Sequence, residues 1–306
     1  PGPDSINATL SASMPLAYET TYLENGAAVA IVNSGTVAWD IDDTALESAT
    51  ILLSNAQPLD QLNLPALPVG LTSSIDTSVP GQITVVISGT ASEASYSSII
   101  TAITFSNSGD NPTNLDRNVS VTVSDGDLGS NTALSTIHVI PVNDAPVATS
   151  NSYVGDEDGG IFGNIMSDDT GAGVDGDADG DPIVVTQFEV NGTSYAVDSY
   201  EPIPGVGAFY ITPNGSFGFY PDPDFNGAVP TVTYTITDGN GGTATATLDI
   251  TITPMPDAPV PAELNVFIDE DTSTSIERLY AADADGDTLT YAAGTTTPAH
   301  GTLSIN

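Results

Sequence analysis

Short runs in which apolar residues alternate with serine or threonine recur along the chain. Examples are ITVVISG at 83–89, VSVTVSD at 119–125 and TVTYTITDG at 231–239. Alternation with a period of two turns one side of a strand toward a core and the other toward solvent. The pattern therefore predicts β-sheets with one buried face.

Turn signals separate these runs from one another. TPNGSFGFYP at 212–221 contains an Asn-Gly pair, which favours a tight hairpin. The segment ASEASYSSIITAI at 91–103 fits either a short helix or the lead-in to a strand. Short strands at this spacing predict an all-β fold built of sandwiches rather than a solenoid.

The chain repeats itself. Residues 123–148 align without a gap on residues 236–261, and DAPV at 144–147 falls on DAPV at 257–260. DADGD recurs at 177–181 and 283–287, and DED recurs at 156–158 and 269–271. We expect three units, at 1–142, 143–255 and 256–306, the second carrying a short insertion and the third incomplete.

Charge changes this picture. The 306 residues include 40 acidic side chains and two basic ones, which gives a formal charge of −38. Two carboxylates about 4 Å apart repel by roughly 4 kcal/mol at an effective dielectric constant near 20. Either the acidic clusters are disordered and solvated, or an external cation neutralises them. A hydrophobic content of 40% and the strand-like runs favour a folded chain that binds metal.

Several classes of structure and function are excluded by composition. The chain has no cysteine, which rules out disulfides and thiolate metal sites. No apolar run approaches the length of a membrane span, and the acidic excess disfavours nucleic acid as a partner. Pro1 is not preceded by a signal peptide, so we expect a fragment or a processed chain, from an extracellular protein.

The recurring motifs resemble those of bacterial cadherin-like repeats. They are PVNDAPV between units, EN or DED early in a unit, DxDGD after the second strand, and SDG or TDG before the last strand. Such repeats occur in large secreted adhesins of the RTX type. The resemblance implies tandem Ig-like sandwiches arranged end to end, with calcium at the joints between adjacent repeats, at the bacterial cell surface.

The resemblance also implies which side chains bind calcium. The ligands would come from an early Glu, an Asp-x-Asp loop and the linker. For the joint between the first and second units these are Asp125, Asn143, Asp144, Glu157, Asp158, Asp177 and Asp179. For the next joint they are Asp238, Asp257, Glu270, Asp271, Asp283 and Asp285. In the first unit they are Glu24, Asp40, Asp42 and Asp43. Pro256 replaces Asn143 in the second linker, which predicts unequal occupancy.

Calcium is also the ion that the residue types favour, because it takes six to eight oxygen ligands in flexible geometry. His138 and His300 lie apart from each other and from the acidic motifs, which argues against zinc or copper. An EF-hand is disfavoured, since its twelfth position would be Thr186 and a strand-like run follows. The glycine-rich nonapeptide pattern is absent.

No motif predicts an enzyme. Gly-x-Ser-x-Gly, His-Glu-x-x-His and phosphate-loop patterns are missing, and the acidic pairs repeat at joint-like positions instead. Trp39 is expected in the core of the first unit. The favoured function is a calcium-stiffened extender of an adhesin. The alternative is a ligand-binding module or fibre subunit that engages a glycan, a protein or a neighbouring chain, for which residues 195–210 offer an aromatic-rich surface.

The last unit raises a separate question. We expect strands at 263–269, 275–281, 288–294 and 301–306, with no counterpart of the later strands of the second unit. Half a sandwich leaves an apolar face uncovered. It would be completed either by further chain or by a strand that a neighbouring molecule donates.

Overall fold

The structure is a computed structural model that describes residues 6–9, 18–40, 44–276 and 278–292. The chain divides into two compact units. Unit 1 comprises residues 1–144 with 178–180, and unit 2 comprises residues 145–177 with 181–306. The predicted all-β class is confirmed, whereas the division at 142/143 and 255/256 stays a prediction.

Unit 1 consists of strands and one helix. In chain order the elements are β1 (Ile6–Thr9), β2 (Tyr18–Leu23), β3 (Val29–Ala30), β4 (Val37–Asp40), β5 (Ala45–Leu53), β6 (Asp60–Asn63), β7 (Thr72–Asp76), β8 (Ile83–Ser92), α1 (Glu93–Ala102), β9 (Thr104–Asn107), β10 (Arg117–Ser124) and β11 (Ala133–Ile140). The large sheet has the order β2-β11-β10-β5-β8-β7, and a smaller one has the order β3-β9-β6. β1 pairs with β4.

Alternation explains the large sheet of unit 1. In β10, Val119, Val121 and Val123 are buried while the residues between them are less so, as the predicted run requires. The run at 83–89 lies in β8 and buries Val85 and Ile87. These side chains share one core with residues from the smaller sheet, including Phe105 of β9. Both predicted strands are confirmed.

The helix resolves an ambiguity of the sequence. α1 begins after Ser92, whose hydroxyl accepts a hydrogen bond from the Ser95 amide at 3.2 Å. This is an N-cap, which satisfies one of the free amides of the first turn. Tyr96, Ile99 and Ile100 are buried at helical spacing, so the apolar face packs on the core.

Unit 2 has a second core. Its strands are β12 (Asn151–Asp156), β13 (Ile161–Asn164), β14 (Val184–Val190), β15 (Thr193–Ala196), β16 (Glu201–Ile203), β17 (Gly207–Ile211), β18 (Ser216–Pro221), β19 (Gly227–Ala228), β20 (Val232–Thr237), β21 (Thr243–Thr253), β22 (Val260–Pro261) and β23 (Ala281–Ala282). One sheet has the order β12-β21-β20-β14-β15, with β19 beside β21, and another has the order β13-β18-β17-β16. Buried phenylalanines fill the space among these strands.

Two hairpins in unit 2 depend on Asn-Gly pairs. The predicted one joins β17 to β18, and Gly215 adopts a φ of 83° in its turn. The other joins β14 to β15 through Asn191 and Gly192, with φ values of 50° and 77°. Positive φ at both central residues is the requirement of a type I′ turn.

The strands expected at the end of the chain are mostly not formed. In the described part of 256–292 the structure has only β22 and β23, which pair with each other. Residues 263–269 form no strand, and Phe267 and Ile268 are exposed. Residues 301–306 lie outside the described residues. An alternating sequence without a partner sheet has nothing to bury its apolar face against, so pattern alone overestimated the strands here.

A buried ion pair lies inside unit 1. Arg117 Nε donates to Asp60 Oδ2 at 2.6 Å, and both side chains are fully buried. Asp60 Oδ1 also accepts from Asn107 Nδ2 at 2.8 Å, and Arg117 Nη1 donates to the carbonyls of Thr113 and Leu115. Burying a charge costs several kcal/mol unless it is paired and hydrogen-bonded, and this network supplies both conditions.

Replacing Arg117 with methionine should therefore destabilise unit 1 strongly. Asp60 would be left as an uncompensated buried charge, which typically costs about 3–5 kcal/mol. Urea denaturation measures the change. Arg278→Met is the matched control because Arg278 is exposed and only stacks over Tyr280 at 5.4 Å; it should change stability by less than about 0.5 kcal/mol. Equal stability of the two variants would refute the assigned role of Arg117.

Candidate metal centres

Three acidic side chains converge in unit 1. Glu24, Asp144 and Asp179 each offer a carboxylate oxygen within 4.8 Å of the others. All three belong to unit 1, Asp179 through the short segment 178–180. All three residues are ones that the family resemblance implies, but the grouping differs from the expected one. Glu24 was expected with Asp40, Asp42 and Asp43, and the structure instead places it beside Asp144 and Asp179, which were expected with Glu157.

Parallel pairing of the first and last strands of the large sheet of unit 1 positions this cluster. β2 runs parallel to β11 and ends with Leu23 opposite Ile140. The Glu24 amide continues the ladder by donating to the Ile140 carbonyl at 3.0 Å. Its carboxylate then accepts from the Val142 amide at 2.6 Å, which fixes the side chain over the start of the linker.

Backbone contacts hold the other two carboxylates. The Asp144 amide donates to Asp179 Oδ2 at 2.7 Å. The side chain of Asn111 donates to the Asp179 carbonyl, which anchors the backbone of that residue. The oxygen atoms thus converge from three separate parts of the sequence.

One carboxylate oxygen of Glu24 is buried without a hydrogen-bond donor from the described part of the chain. The residue is 3% exposed, and Oε2 accepts the Val142 amide. Oε1 is buried and has no hydrogen-bond partner among the described residues. A buried carboxylate oxygen without a donor is costly, and two further carboxylates lie beside it.

The electrostatics of Glu24 reflect this environment. Burial raises the pKa of Glu24 above its ordinary value of 4.5, although the Val142 hydrogen bond opposes the shift. The negative charges of Asp144, Asp179 and Asp110 raise the pKa further. The ionised cluster is therefore unfavourable unless a cation neutralises it.

A second cluster in unit 2 repeats the geometry. Glu157, Asp257 and Asp285 offer oxygens within 4.8 Å of one another. Glu157 follows β12, which runs parallel to β21, and its Oε1 accepts the Met255 amide at 2.5 Å. The Asp257 amide donates to Asp285 Oδ2 at 2.7 Å, as Asp144 does to Asp179. The two clusters thus share two hydrogen bonds, one from a linker amide to the glutamate and one between the two aspartates. Glu157 was expected with Asp144 and Asp179 and instead lies with Asp257 and Asp285.

The second cluster has similar electrostatics. Desolvation raises the pKa of Asp257, and the charges of Asp224, Asp285, Asp158 and Glu157 add to the shift, in that order. Glu157 is 5% exposed, and Oε2 accepts from the Asn226 side chain at 3.2 Å. No basic residue contributes to either cluster within the ranges that the structure describes.

The Asp-x-Asp loops have a common internal geometry. Asp177 Oδ1 accepts the Asp181 amide at 3.2 Å, and Asp283 Oδ1 accepts the Asp287 amide at 3.0 Å. In the second loop the carboxylates of Asp283, Asp285 and Asp287 lie within 4.8 Å of one another. The alternate aspartates therefore present their oxygens on one side of the loop.

Other implied ligands have different surroundings. Asp125 Oδ1 accepts the amides of Asp127 and Leu128, and Asp238 Oδ1 accepts those of residues 240–242, so each organises the turn before the last strand of its sheet. Asn143 donates its side-chain amide to the Asp144 carbonyl at 3.0 Å. A ligand role for these three residues stays a prediction.

The remaining implied ligands lie outside the tight clusters or outside the described residues. Asp158 contributes charge near Asp257 without joining the tight cluster. Glu270 and Asp271 precede β23 and belong to none of the described acidic groups. Asp42 and Asp43, together with the side chains of Asp40 and Trp39, lie outside the described residues.

Sequence reasoning missed two acidic side chains beside the clusters. Asp110 raises the pKa of Glu24, and Asp224 is the largest charge that raises the pKa of Asp257. Asp110 lies in the loop between β9 and β10, and Asp224 lies between β18 and the short strand β19, ahead of β20. Each therefore comes shortly before the strand that pairs with the last strand of its large sheet, and this shared position is the signal that could have identified them. Asp181 and Asp287 were also missed, although each lies in an Asp-x-Asp loop and donates its amide to an implied ligand, Asp177 or Asp283.

The described histidine has surroundings unlike a metal site. His138 lies on β11, with Nδ1 2.8 Å from Asp116 Oδ1 and Nε2 3.8 Å from Glu19 Oε2. The two ring nitrogens thus face different carboxylates, and the hydrogen bond to Asp116 raises the pKa of His138. His300 lies outside the described residues.

The donors at both clusters suit calcium. They are all carboxylate oxygen atoms, which calcium accepts in flexible geometry. Magnesium would demand a tighter octahedral set, and zinc would favour nitrogen or sulfur. The residues therefore fit the calcium ion that the resemblance implies.

Comparison with known families identifies two domain types. Residues 143–254 match the bacterial cadherin-like domain, and residues 256–306 match the bacterial Ig domain. The chain contains both domains in tandem. The expected tandem of Ig-like, cadherin-like domains is confirmed, and cadherin-like and Ig domains of this kind are adhesion-type, extracellular-type modules. A search of curated proteins found no match.

Solved cadherin structures are similar to this chain. Repeats 22–24 of mouse cadherin-23 are 15% identical with a TM-score of 0.40, covering 92% of this chain and 78% of that chain. Repeats 1–2 of human mucin-like protocadherin are 13% identical with a TM-score of 0.35, covering 82% and 98%. Protocadherin gamma B7 is 10% identical with a TM-score of 0.36, covering 92% and 60%, so the chain spans less than two thirds of its length.

No helix among the described residues has the length and apolar character of a membrane span.

The raised carboxyl pKa values predict an unusual pH dependence without calcium. A raised pKa in the folded state means that the native protein binds the proton more tightly than the unfolded chain does. Stability from this source is present at low pH and is lost as pH rises through the raised pKa. In calcium-free buffer, the melting temperature should therefore rise as pH falls from 7.5 to 5.

The raised pKa of His138 also makes the fold more stable as pH falls, so the wild-type profile combines several groups. Glu24→Gln isolates the contribution of the Glu24 carboxyl group. As pH falls from 7.5 to 5, the melting temperature of this variant should rise by less than that of the wild type. Glu189→Gln, which removes an exposed carboxylate on β14, should behave like the wild type. A Glu24→Gln profile that parallels the wild-type profile would contradict the electrostatic analysis.

Proposed function

We propose that this chain is a calcium-stiffened segment of a large bacterial cell-surface adhesin, where it extends or presents other domains of the protein. The observation that carries the proposal is the buried, unpartnered Oε1 of Glu24 between the carboxylates of Asp144 and Asp179. A cation is the only group that would satisfy this oxygen and neutralise all three charges together.

Repetition supports calcium as a general feature of the tandem domains. The cluster of Glu157, Asp257 and Asp285 shares two hydrogen bonds with the first cluster, from the linker amide to the glutamate and from the Asp257 amide to Asp285. A solvated acidic turn would not need a buried glutamate held by the linker backbone in both cases. We assign Glu24, Asp144 and Asp179 to one calcium centre and Glu157, Asp257 and Asp285 to another, with Asp110 and Asp224 nearby.

Calcium would restrict the linkers as well as neutralise charge. In the first centre the ion would bind Glu24, linker residue Asp144 and Asp179. The residues that flank the segment 178–180 in sequence belong to unit 2. In the second it would tie Glu157 to linker residue Asp257. Fixing a linker removes its conformational freedom, which makes consecutive domains a stiff spacer.

The remaining parts of the proposal follow from this role. A non-enzymatic spacer fits the typical character of cadherin-like and Ig domains. Location at the bacterial cell surface and export by the RTX route are proposed from the sequence resemblance. Calcium at extracellular concentrations would keep the segment folded and extended.

Calcium should stabilise the chain measurably. An ion that binds only the folded form at a hundred times its dissociation constant adds about 2.7 kcal/mol per site. We expect a higher melting temperature and slower proteolysis with calcium, and a smaller calcium effect in Asp144→Asn and Asp257→Asn. Glu189→Gln should retain the full effect. Identical wild-type melting curves with calcium and with chelator would refute the proposal.

Stiffening is tested separately by small-angle X-ray scattering. Removal of calcium should broaden the distribution of interatomic distances, because the linkers gain freedom. In the presence of calcium, Asp144→Asn should reproduce part of this change, and Asp249→Asn, on the exposed side of β21, should not. Unchanged scattering on chelation, with a calcium-dependent melting temperature, would show stabilisation without stiffening.

A further inference from the structure

Unit 2 has an exposed strip of aromatic rings on one sheet. The strip comprises Phe162 of β13, Tyr210 of β17, Tyr220 of β18 and Tyr200, which precedes β16. Adjacent ring centroids are 5.4 Å apart for Phe162 and Tyr220, 6.1 Å for Tyr200 and Tyr220, and 6.4 Å for Tyr200 and Tyr210. Four rings thus form one continuous surface.

These rings lie on the side of the sheet that faces away from the core. Along β17 and β18, Phe209, Ile211, Phe217 and Phe219 are buried, and the residues of the strip alternate with them. Tyr200 and Phe162 remain 58% and 56% exposed, and Tyr220 remains 43% exposed. The core therefore does not need these side chains, and exposed apolar groups that are contiguous often mark binding sites.

Two glycines allow the rings to adopt this arrangement. A Cβ atom at Gly218 would lie 2.4 Å from Cε1 of Tyr210, so the ring covers the backbone of that glycine. A Cβ atom at Gly160 would lie 2.8 Å from Cε2 of Phe162 and 3.3 Å from Cδ1 of Tyr220. Larger residues at either position would push the rings off the sheet.

The tyrosine hydroxyls distinguish the strip from the structural tyrosines. The hydroxyls of Tyr22, Tyr96, Tyr153 and Tyr234 all donate to protein oxygens. The strip has three hydroxyls, those of Tyr200, Tyr210 and Tyr220. Within the described ranges, none of them has a hydrogen-bond partner. They are available to donate and accept at the edges of a ligand that lies across the rings.

We infer that this aromatic strip binds a neutral polysaccharide. The C–H groups on the faces of a pyranose ring are attracted to the negative face of an aromatic ring, and its hydroxyl groups match the free phenol groups. Residues 143–254 contain no lysine or arginine, and Glu201 and Asp222 adjoin the strip in sequence. The surface therefore repels sulfated or uronic polymers, while its carboxylates accept hydrogen bonds from neutral sugar hydroxyls.

The angles between the rings indicate which form of polysaccharide the strip can bind. The rings of Tyr200 and Tyr210 are inclined by 31°, whereas those of Tyr200 and Tyr220 are inclined by 51° and those of Phe162 and Tyr220 by 80°. A flat crystalline surface would touch few of these faces at once. A single twisted chain of sugars would follow them, so the ligand is a soluble strand.

Affinity electrophoresis of the full chain with saturating calcium tests this inference. The gels contain dextran, hydroxyethylcellulose or galactomannan as neutral polymers, and alginate as the anionic one. At least one neutral polymer should retard the protein and alginate should not. In Tyr200→Ala/Tyr220→Ala the dissociation constant should rise at least tenfold, and Tyr280→Ala should leave it unchanged, because Tyr280 is equally exposed (62%) outside the strip.

Two further measurements keep the result interpretable. Unchanged melting temperatures would show that the double variant is folded, and Tyr200→Phe/Tyr220→Phe, which keeps the rings and removes the hydroxyls, should lose only part of the affinity. Three outcomes would overturn the inference: no retardation by any of the three neutral polymers, retardation that the double alanine variant retains, or tyrosine-dependent binding of a decalysine peptide alone, which would assign the strip to a cationic protein partner. Binding of a neutral polymer would not depend on the outcome of the calcium experiments.

Discussion

Repulsion among carboxylates that have no cation of their own is the constraint on which the rest of the structure depends. The chain has 40 acidic and two basic side chains. One basic group, Arg117, is buried with Asp60, and the other, Arg278, lies over the ring of Tyr280. Neither arginine is among the groups that shift the pKa of Glu24 or Asp257 in either direction. Any neutralisation at the two clusters would therefore come from solution, and under the proposed function one divalent ion would meet several carboxylates at once.

The topology of each large sheet turns this constraint into a site. In both units the first strand of the sheet pairs in parallel with the last, as β2 does with β11 and β12 with β21. The chain leaving the last strand therefore passes the glutamate that follows the first strand. Val142 and Met255 donate their amides to these glutamates, and an aspartate follows two residues later. The pairing of two strands that are far apart in sequence thus places a linker aspartate beside a buried glutamate.

The sequence was sufficient for features that depend on local pattern. Alternation predicted β10 and β20, the Asn-Gly pair predicted the β17–β18 hairpin, and the alignment of DAPV at 144–147 with DAPV at 257–260 revealed the repeat that contains both linker aspartates. The pair of Asp60 and Arg117 was beyond such reasoning, since the residues are 57 positions apart and neither lies in a repeated motif. Asp110 and Asp224 were missed because only the fold brings their loops to the clusters. At 263–269 the apolar pattern was present, but no sheet was available for it to pack on.

The carboxylates of Asp238 and Glu24 differ in how many hydrogen-bond donors surround them. Asp238 accepts three backbone amides through Oδ1, and such donors stabilise the ionised form without any metal. Glu24 accepts one amide, and its second oxygen is buried without a donor from any residue that the structure describes. The first arrangement fixes a turn, whereas the second leaves a charge that the protein itself does not satisfy. At these two positions the number of hydrogen-bond donors at the carboxylate, rather than the density of acidic residues, distinguishes a charge that the protein satisfies from one that favours a cation.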